Sequence, residues 1–155
     1  MERKTQVHAE NGQQDMTITR EFDLPLGLLF KAYAEAELLE QWMGTKVLKL
    51  ESRKHGSYHL ETTDAQGKVV FAANGVIHEF IPDSKITRTF EMSNAPFGVQ
   101  LEVYEFEALT DDTSKLTMHT IYETGALRDQ VLKLPFVQGI GWAHNRLQEV
   151  IGKLK

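Results

Sequence analysis

The chain contains no cysteine. That excludes a disulfide framework, thiolate catalysis and any zinc site built on sulfur. The absence also fits a reducing compartment. No apolar run approaches the length of a membrane span, and Met1-Glu2-Arg3-Lys4-Thr5-Gln6 lacks the apolar core of a signal peptide. The protein therefore reads as cytoplasmic. Basic charge is short: 17 Lys and Arg against 22 Asp and Glu leave a net charge of −5. The cations are scattered rather than clustered, so nucleic acid is a poor partner. There is no nucleophile with a neighbouring base, no phosphate-cradling glycine loop and no paired-carboxylate signature. No pair of the six histidines falls at His-Glu-x-x-His spacing, and the one His-x-x-x-His pair, His55 and His59, runs from a turn into a strand rather than along a helix face. No metal site is expected, and no cofactor is called for.

What is present suits a globular fold. The 155 residues are 41% hydrophobic and 25% charged, near the average for such proteins. They fit one domain of ordinary size, with residues 1–14 as an N-terminal extension. Asn11-Gly12 suits a tight hairpin turn. Met16, Ile18, Arg20 and Phe22 alternate with Thr17, Thr19 and Glu21, predicting a strand over 15–23 paired with one over 4–10. Pro25 suits a first helical turn, and Leu28, Leu29, Ala32 and Tyr33 follow at helical spacing. A second short helix spans about 35–43, ended by Gly44.

From 46 to 122 the period is two. Strands are predicted at 46–53, 57–63, 68–80, 85–92, 99–109 and 115–123, separated by turn signals such as Pro82-Asp83 and Asn94-Ala95-Pro96. Short gaps favour an antiparallel meander. A shorter turn is expected at 126–133. Phe136, Ile140, Ala143, Leu147, Val150/Ile151 and Leu154 then form one stripe of a helix over 137–154. Gly139 and Gly141 weaken its start; close packing, a ligand or a frayed end are the competing reasons. The fold class is α+β. The terminal helix can hide its stripe only on the concave face of a six- or seven-stranded sheet, and a bent sheet around one helix leaves a cavity near one end.

Several segments in this order carry a family resemblance. They include Arg20-Glu21-Phe22-Asp23-Leu24-Pro25, Leu29-Phe30-Lys31-Ala32-Tyr33, Leu39-Glu40-Gln41-Trp42-Met43-Gly44, His55-Gly56-Ser57-Tyr58, Gly75 to Pro82, and Gly141-Trp142. Together they resemble the activator of heat-shock protein 90 ATPase homologue-like family, part of the START-like (SRPBCC, Bet v 1-like) helix-grip superfamily. The resemblance runs from about 15 to 154. Met43 replaces a second Trp often found there, and His55-Gly56 replaces a Gly-Gly. The resemblance implies the helix-grip fold; it says little of function, because the superfamily mixes carriers, cyclases and co-chaperone domains.

Candidate cavity residues are Trp42, Tyr58, Phe71, Arg88, Phe90, Met92, Tyr104, Met118, Tyr122, Phe136, Ile140 and His144, with Trp142 on the same elements. On strand 85–92, Ile86, Arg88, Phe90 and Met92 share one face. If that face is concave, Arg88 either pairs with Glu102 or Glu105 or holds a polar group of a ligand. His144 borders the helix stripe, as a core or cavity-rim histidine. The loop Ser93 to Gly98 is either a lid carrying Phe97 or a plain hairpin loop. Carboxylates on the strands read as a solvated face.

Three functions compete. The first is non-enzymatic binding of a small hydrophobic or aromatic molecule, such as a lipid, polyketide or flavonoid-like compound. The second, implied only by the resemblance, is a co-chaperone acting on heat-shock protein 90. The third is a cyclase-type enzyme using His144 or Arg88.

Overall fold

The computed structural model describes residues 3–93 and 95–155. The elements run in the order β1 (Gln6–His8), β2 (Asp15–Phe22), α1 (Leu26–Ala34), α2 (Ala36–Met43), β3 (Lys46–Leu50), β4 (Ser57–Thr63), β5 (Val69–Ile81), β6 (Lys85–Met92), β7 (Val99–Ala108), β8 (Ser114–Ile121), α3 (Gly125–Lys133) and α4 (Phe136–Gly152).

Alternation creates β2. Met16, Ile18, Arg20 and Phe22 are buried on one face, and the whole strand pairs antiparallel with β8, from Asp15↔Ile121 to Phe22↔Ser114. The eight strands form one antiparallel sheet in the order β1-β2-β8-β7-β6-β5-β4-β3. The stretch from β3 to β8 is the expected meander. The strand count exceeds the expected six or seven because both short edge strands join: β1 adds only Gln6, Val7 and His8 beside β2. At the other edge, β3 ends at Leu50 rather than 53, after a register shift between Val47 and Lys49.

The helices α1 and α2 carry the chain from β2 to β3 at the far edge of the sheet. Gly44 closes α2 in the left-handed region, at φ 67°, a conformation a side chain would strain. Leu29, Phe30, Ala32 and Tyr33 of α1 are buried against the inner face, where Phe30 and Tyr33 meet Phe106 edge-on. This is the helix-grip architecture.

Two helical segments also differ from the sequence reading. Residues 125–133 form a helix, not a turn: the Thr124 hydroxyl accepts the Leu127 N–H at 3.1 Å and caps its start. Its Arg128 is buried and donates to the Glu10 and Asp15 carbonyls. Helix α4 stops at Gly152, leaving Leu154 exposed. Asn94 of the expected turn at 94–96 lies outside the described residues.

Candidate functional site

The two halves of α4 behave differently. In the C-terminal half, Leu147 and Ile151 are fully buried. The His144 ring meets Phe22 at 5.6 Å, and Asn145 Oδ1 accepts from Arg20 at 2.9 Å. The helix is thus clamped onto β2. In the N-terminal half, Phe136, Ile140 and Ala143 are only half-buried, because they face a cavity of about 490 Å³ enclosed against the sheet. Its exposed lining residues, Met43 at the end of α2 and Leu134 and Pro135 between α3 and α4, mark its mouth.

Trp42, Phe71, Arg88, Phe90, Met92, Tyr104, Met118, Tyr122, Phe136 and Ile140 all line this cavity. Tyr58 and His144 do not. Tyr58 points to the concave side, but the Arg88 guanidinium lies 4.5 Å above its ring and covers it, while its hydroxyl donates to the Thr89 carbonyl. His144 sits on the clamped half of α4. Its Nδ1 shares a 2.7 Å hydrogen bond with the Thr5 hydroxyl, and burial, with the Arg20 charge, pushes its pKa down to about 3. It faces away from the cavity, so it is no candidate acid there. Trp142, expected among the lining, is 65% exposed on the outer face of α4. Gly139 and Gly141 are not closely packed: a Cβ on either would meet nothing within 4 Å.

The sequence reading left out Ile18, Tyr33, Leu39, Leu60, Gln100, Thr120 and Val131 from the lining. Tyr33 and Leu39 carried the available signal, since both lie on the inward stripes of their helices. Gln100 carried none, and Glu102 entered only as one of two partners for Arg88. Polar residues in a strand read as solvent-facing, and yet Glu102 is buried. Phe97, from the loop before β7, also lines the cavity.

The polar atoms of the cavity gather at one place. Arg88 on β6 stands across from Glu102 on β7, and its Nε donates to Glu102 Oε1 at 2.8 Å. Of the two partners considered, Glu102 wins because it shares the concave face, whereas Glu105 lies across from Lys85 on the opposite phase. Arg88 Nη2 donates to the Tyr104 hydroxyl at 2.9 Å, which itself donates to Glu102 Oε1 at 3.1 Å. Gln100 Nε2 donates to Glu102 Oε2 at 2.9 Å. Burial opposes the charge on Arg88, but Tyr104, Tyr58 and Glu102 outweigh it and hold the guanidinium protonated more firmly than usual. Burial likewise raises the hydroxyl pKa of Tyr33 and Tyr122 above the ordinary value, so both stay protonated. The Trp42 indole N–H is taken by the Ala32 carbonyl at 2.8 Å, leaving its ring to the cavity.

A second groove of about 480 Å³, lined by Lys49, His59, Asn74 and Glu91 among others, is open and polar by comparison. Among the described residues no cluster of three or more His, Asp or Glu is placed to hold a metal ion, and no helix is long and apolar enough to cross a membrane.

The fold is shared with solved bacterial structures. A protein from Rhodobacter sphaeroides superimposes with a TM-score of 0.86 at 17% identity, over 97% of this chain and 99% of that one. Protein Ms6760 from Mycobacterium smegmatis gives 0.83 at 22% identity, over 95% and 96%. A solution structure of an Arthrobacter aurescens protein gives 0.84 at 14% identity, over 96% and 91%. At these identities the likeness concerns the fold alone. No curated protein gives a significant sequence match. The family model described as Activator of Hsp90 ATPase homolog 1-like protein matches residues 23–152, and the chain belongs to that family, with the START/Bet v 1-like fold.

Proposed function

We propose that this protein is a non-enzymatic binder of a small hydrophobic or aromatic molecule, a carrier or sensor working in the cytoplasm with its ligand between the sheet and α4. One observation carries this reading: a cavity of about 490 Å³ walled by Phe, Trp, Met and Leu side chains, with polar groups drawn together around Arg88. Ligand pockets of roughly 300–1,000 Å³ are built this way, with an apolar lining and a few placed polar groups. Its open mouth at Met43 and Leu134 supports reversible entry. A titration of the labelled protein with small aromatic compounds, followed by amide shifts, tests it. Shifts should cluster at Phe90, Met118 and Ile140 and vanish in Ala143→Phe, which fills the cavity. If no compound moves these signals, or if the filled variant binds equally well, the reading fails.

The co-chaperone reading draws on the family description and on the exposed Val137 and Trp142 of α4, at 50% and 65%. Its test is the ATPase rate of an Hsp90 with and without the protein. An unchanged rate removes it.

A further inference from the structure

This inference deepens the proposed binding role and rests on it: we propose that the ligand is a neutral molecule with an apolar body and one carbonyl-type acceptor that docks on Arg88 Nη1, and that carboxylic acids of the same shape are excluded.

A guanidinium carries five N–H donors and no acceptor. In Arg88, Nε is used by Glu102 and Nη2 by Tyr104. Nη1 donates to none of the described residues, and it is not among the sealed-off side-chain atoms. Arg88 lines the main cavity and does not line the outer groove. The cavity therefore presents a charged N–H donor without an acceptor among the described residues. Its position is fixed in advance: the guanidinium lies 4.5 Å from the Tyr58 ring and 4.9 Å from the Tyr104 ring, and the ion pair locks its tilt. A ligand oxygen meeting it makes a charge-assisted hydrogen bond without first ordering the side chain.

Charge decides which oxygen. The Glu102 carboxylate already neutralises Arg88, and both its oxygens accept from protein donors. Among the described residues lining the cavity, Arg88 is the only Lys or Arg. A ligand carboxylate would thus bring a second negative charge to one cation, inside apolar walls where an uncompensated charge is costly. A ketone or ester oxygen accepts the same N–H and adds no net charge. A pure hydrocarbon would leave the donor without a partner, because it displaces whatever water serves Nη1.

The test compares three probes of one shape on the full chain near neutral pH: 2-acetylnaphthalene, 2-isopropylnaphthalene and 2-naphthoate. The dissociation constants come from amide-shift titration, with the Arg88 side-chain nitrogens observed in the same spectra. The ketone should bind about tenfold or more tighter than the hydrocarbon, shift Nη1, and exceed the naphthoate by at least as much. The double variant Arg88→Met/Glu102→Gln, which leaves no lone carboxylate, should bring the ketone-to-hydrocarbon ratio near one. Should that variant fail to fold, the Nη1 shift in the native protein still decides. Equal binding of ketone and hydrocarbon, or naphthoate binding as tightly as the ketone, overturns the head-group assignment and leaves the binding role standing. If none of the three binds, the binding role falls and takes this assignment with it.

Discussion

Glu102 Oε1 accepts hydrogen bonds from both Arg88 Nε and the Tyr104 hydroxyl, so one buried oxygen fixes a cation on one strand and a phenol two residues along its own. The pair is nearly closed off, with side-chain exposures of 14% for Arg88 and 6% for Glu102. Removing one partner strands the other charge, which costs about 3–5 kcal/mol, whereas replacing both is far milder. Glu102→Gln should therefore lose about 3 kcal/mol in urea unfolding, and Arg88→Met/Glu102→Gln should lose less than that single change. A loss below about 1 kcal/mol in Glu102→Gln would mean that water enters the cavity and screens the pair.

His144 gives a pH dependence of known sign. Its ordinary pKa lies near 6.5, and in the folded protein burial and Arg20 depress it to about 3. The unfolded chain takes up a proton as pH falls below about 6.5, while the folded chain does not until about 3. Stability is therefore complete above pH 6.5 and falls with decreasing pH, by up to about 1.4 kcal/mol per unit. Asp15, Glu51 and Glu79 also have lowered pKa values, but such carboxylates begin to lose their contribution only below about pH 5. His144 contributes its share of the slope from about pH 6.5 downward, through pH 5. Unfolding free energies at pH 7 and pH 5 should differ by about 2 kcal/mol, and His144→Leu should flatten that difference. A flat native profile over this interval would show that the histidine is hydrated or charges in place.

These two sites show what the sequence could and could not reveal. Period two placed Arg88, Phe90, Met92, Tyr104 and Met118 on one wall, because the strand pleat alone decides that. Helical period found the stripe of α4 but not its distance from the sheet. Ile140 and His144 are neighbours on that stripe; the first faces a cavity and the second a closed core, because only the C-terminal half of α4 is clamped by Arg20 and Phe22. Tyr58 was assigned the right face of β4, but the Arg88 side chain lies over it, and such layering leaves no mark in the period. The helix α3 was missed because its buried Arg128 reads as a surface residue. The Thr124 cap was the legible clue.

The departure at His55-Gly56 has a backbone explanation. His55 sits at φ 66°, in the left-handed region, where the family's usual glycine is unstrained and an L side chain costs about 1–2 kcal/mol. Its N–H donates to the Ile77 carbonyl at 2.7 Å, and Gly56 bonds the same residue in return, holding the turn in place. Gly56 is constrained by space: a Cβ there would lie 2.0 Å from the Glu51 carbonyl oxygen. His55→Gly should stabilise the fold by up to about 1 kcal/mol, the relief being offset by glycine's freedom in the unfolded chain. Gly56→Ala should destabilise it by about 2–3 kcal/mol. Thermal unfolding of the two variants checks both signs; a destabilised His55→Gly would show that the imidazole, whose ring lies 6.2 Å from His78, holds the turn more firmly than its backbone strains it.

Gly139 and Gly141 sit in the half of α4 that frames the cavity, and neither has anything within 4 Å of where a Cβ would stand. No packing reason therefore survives for their missing side chains, and each lowers helix stability by about 1 kcal/mol relative to alanine. Gly139→Ala and Gly141→Ala should each stabilise the protein by about 0.5–1 kcal/mol, and the effects should nearly add, since the two side chains would point in different directions around the helix. Amide exchange should slow across Phe136 to Trp142, where the helix has few buried anchors, and change little at Leu147 and Ile151, which are already clamped. If either alanine destabilises the protein, the front of α4 must move onto that space in solution, and the cavity would then be narrower than its 490 Å³.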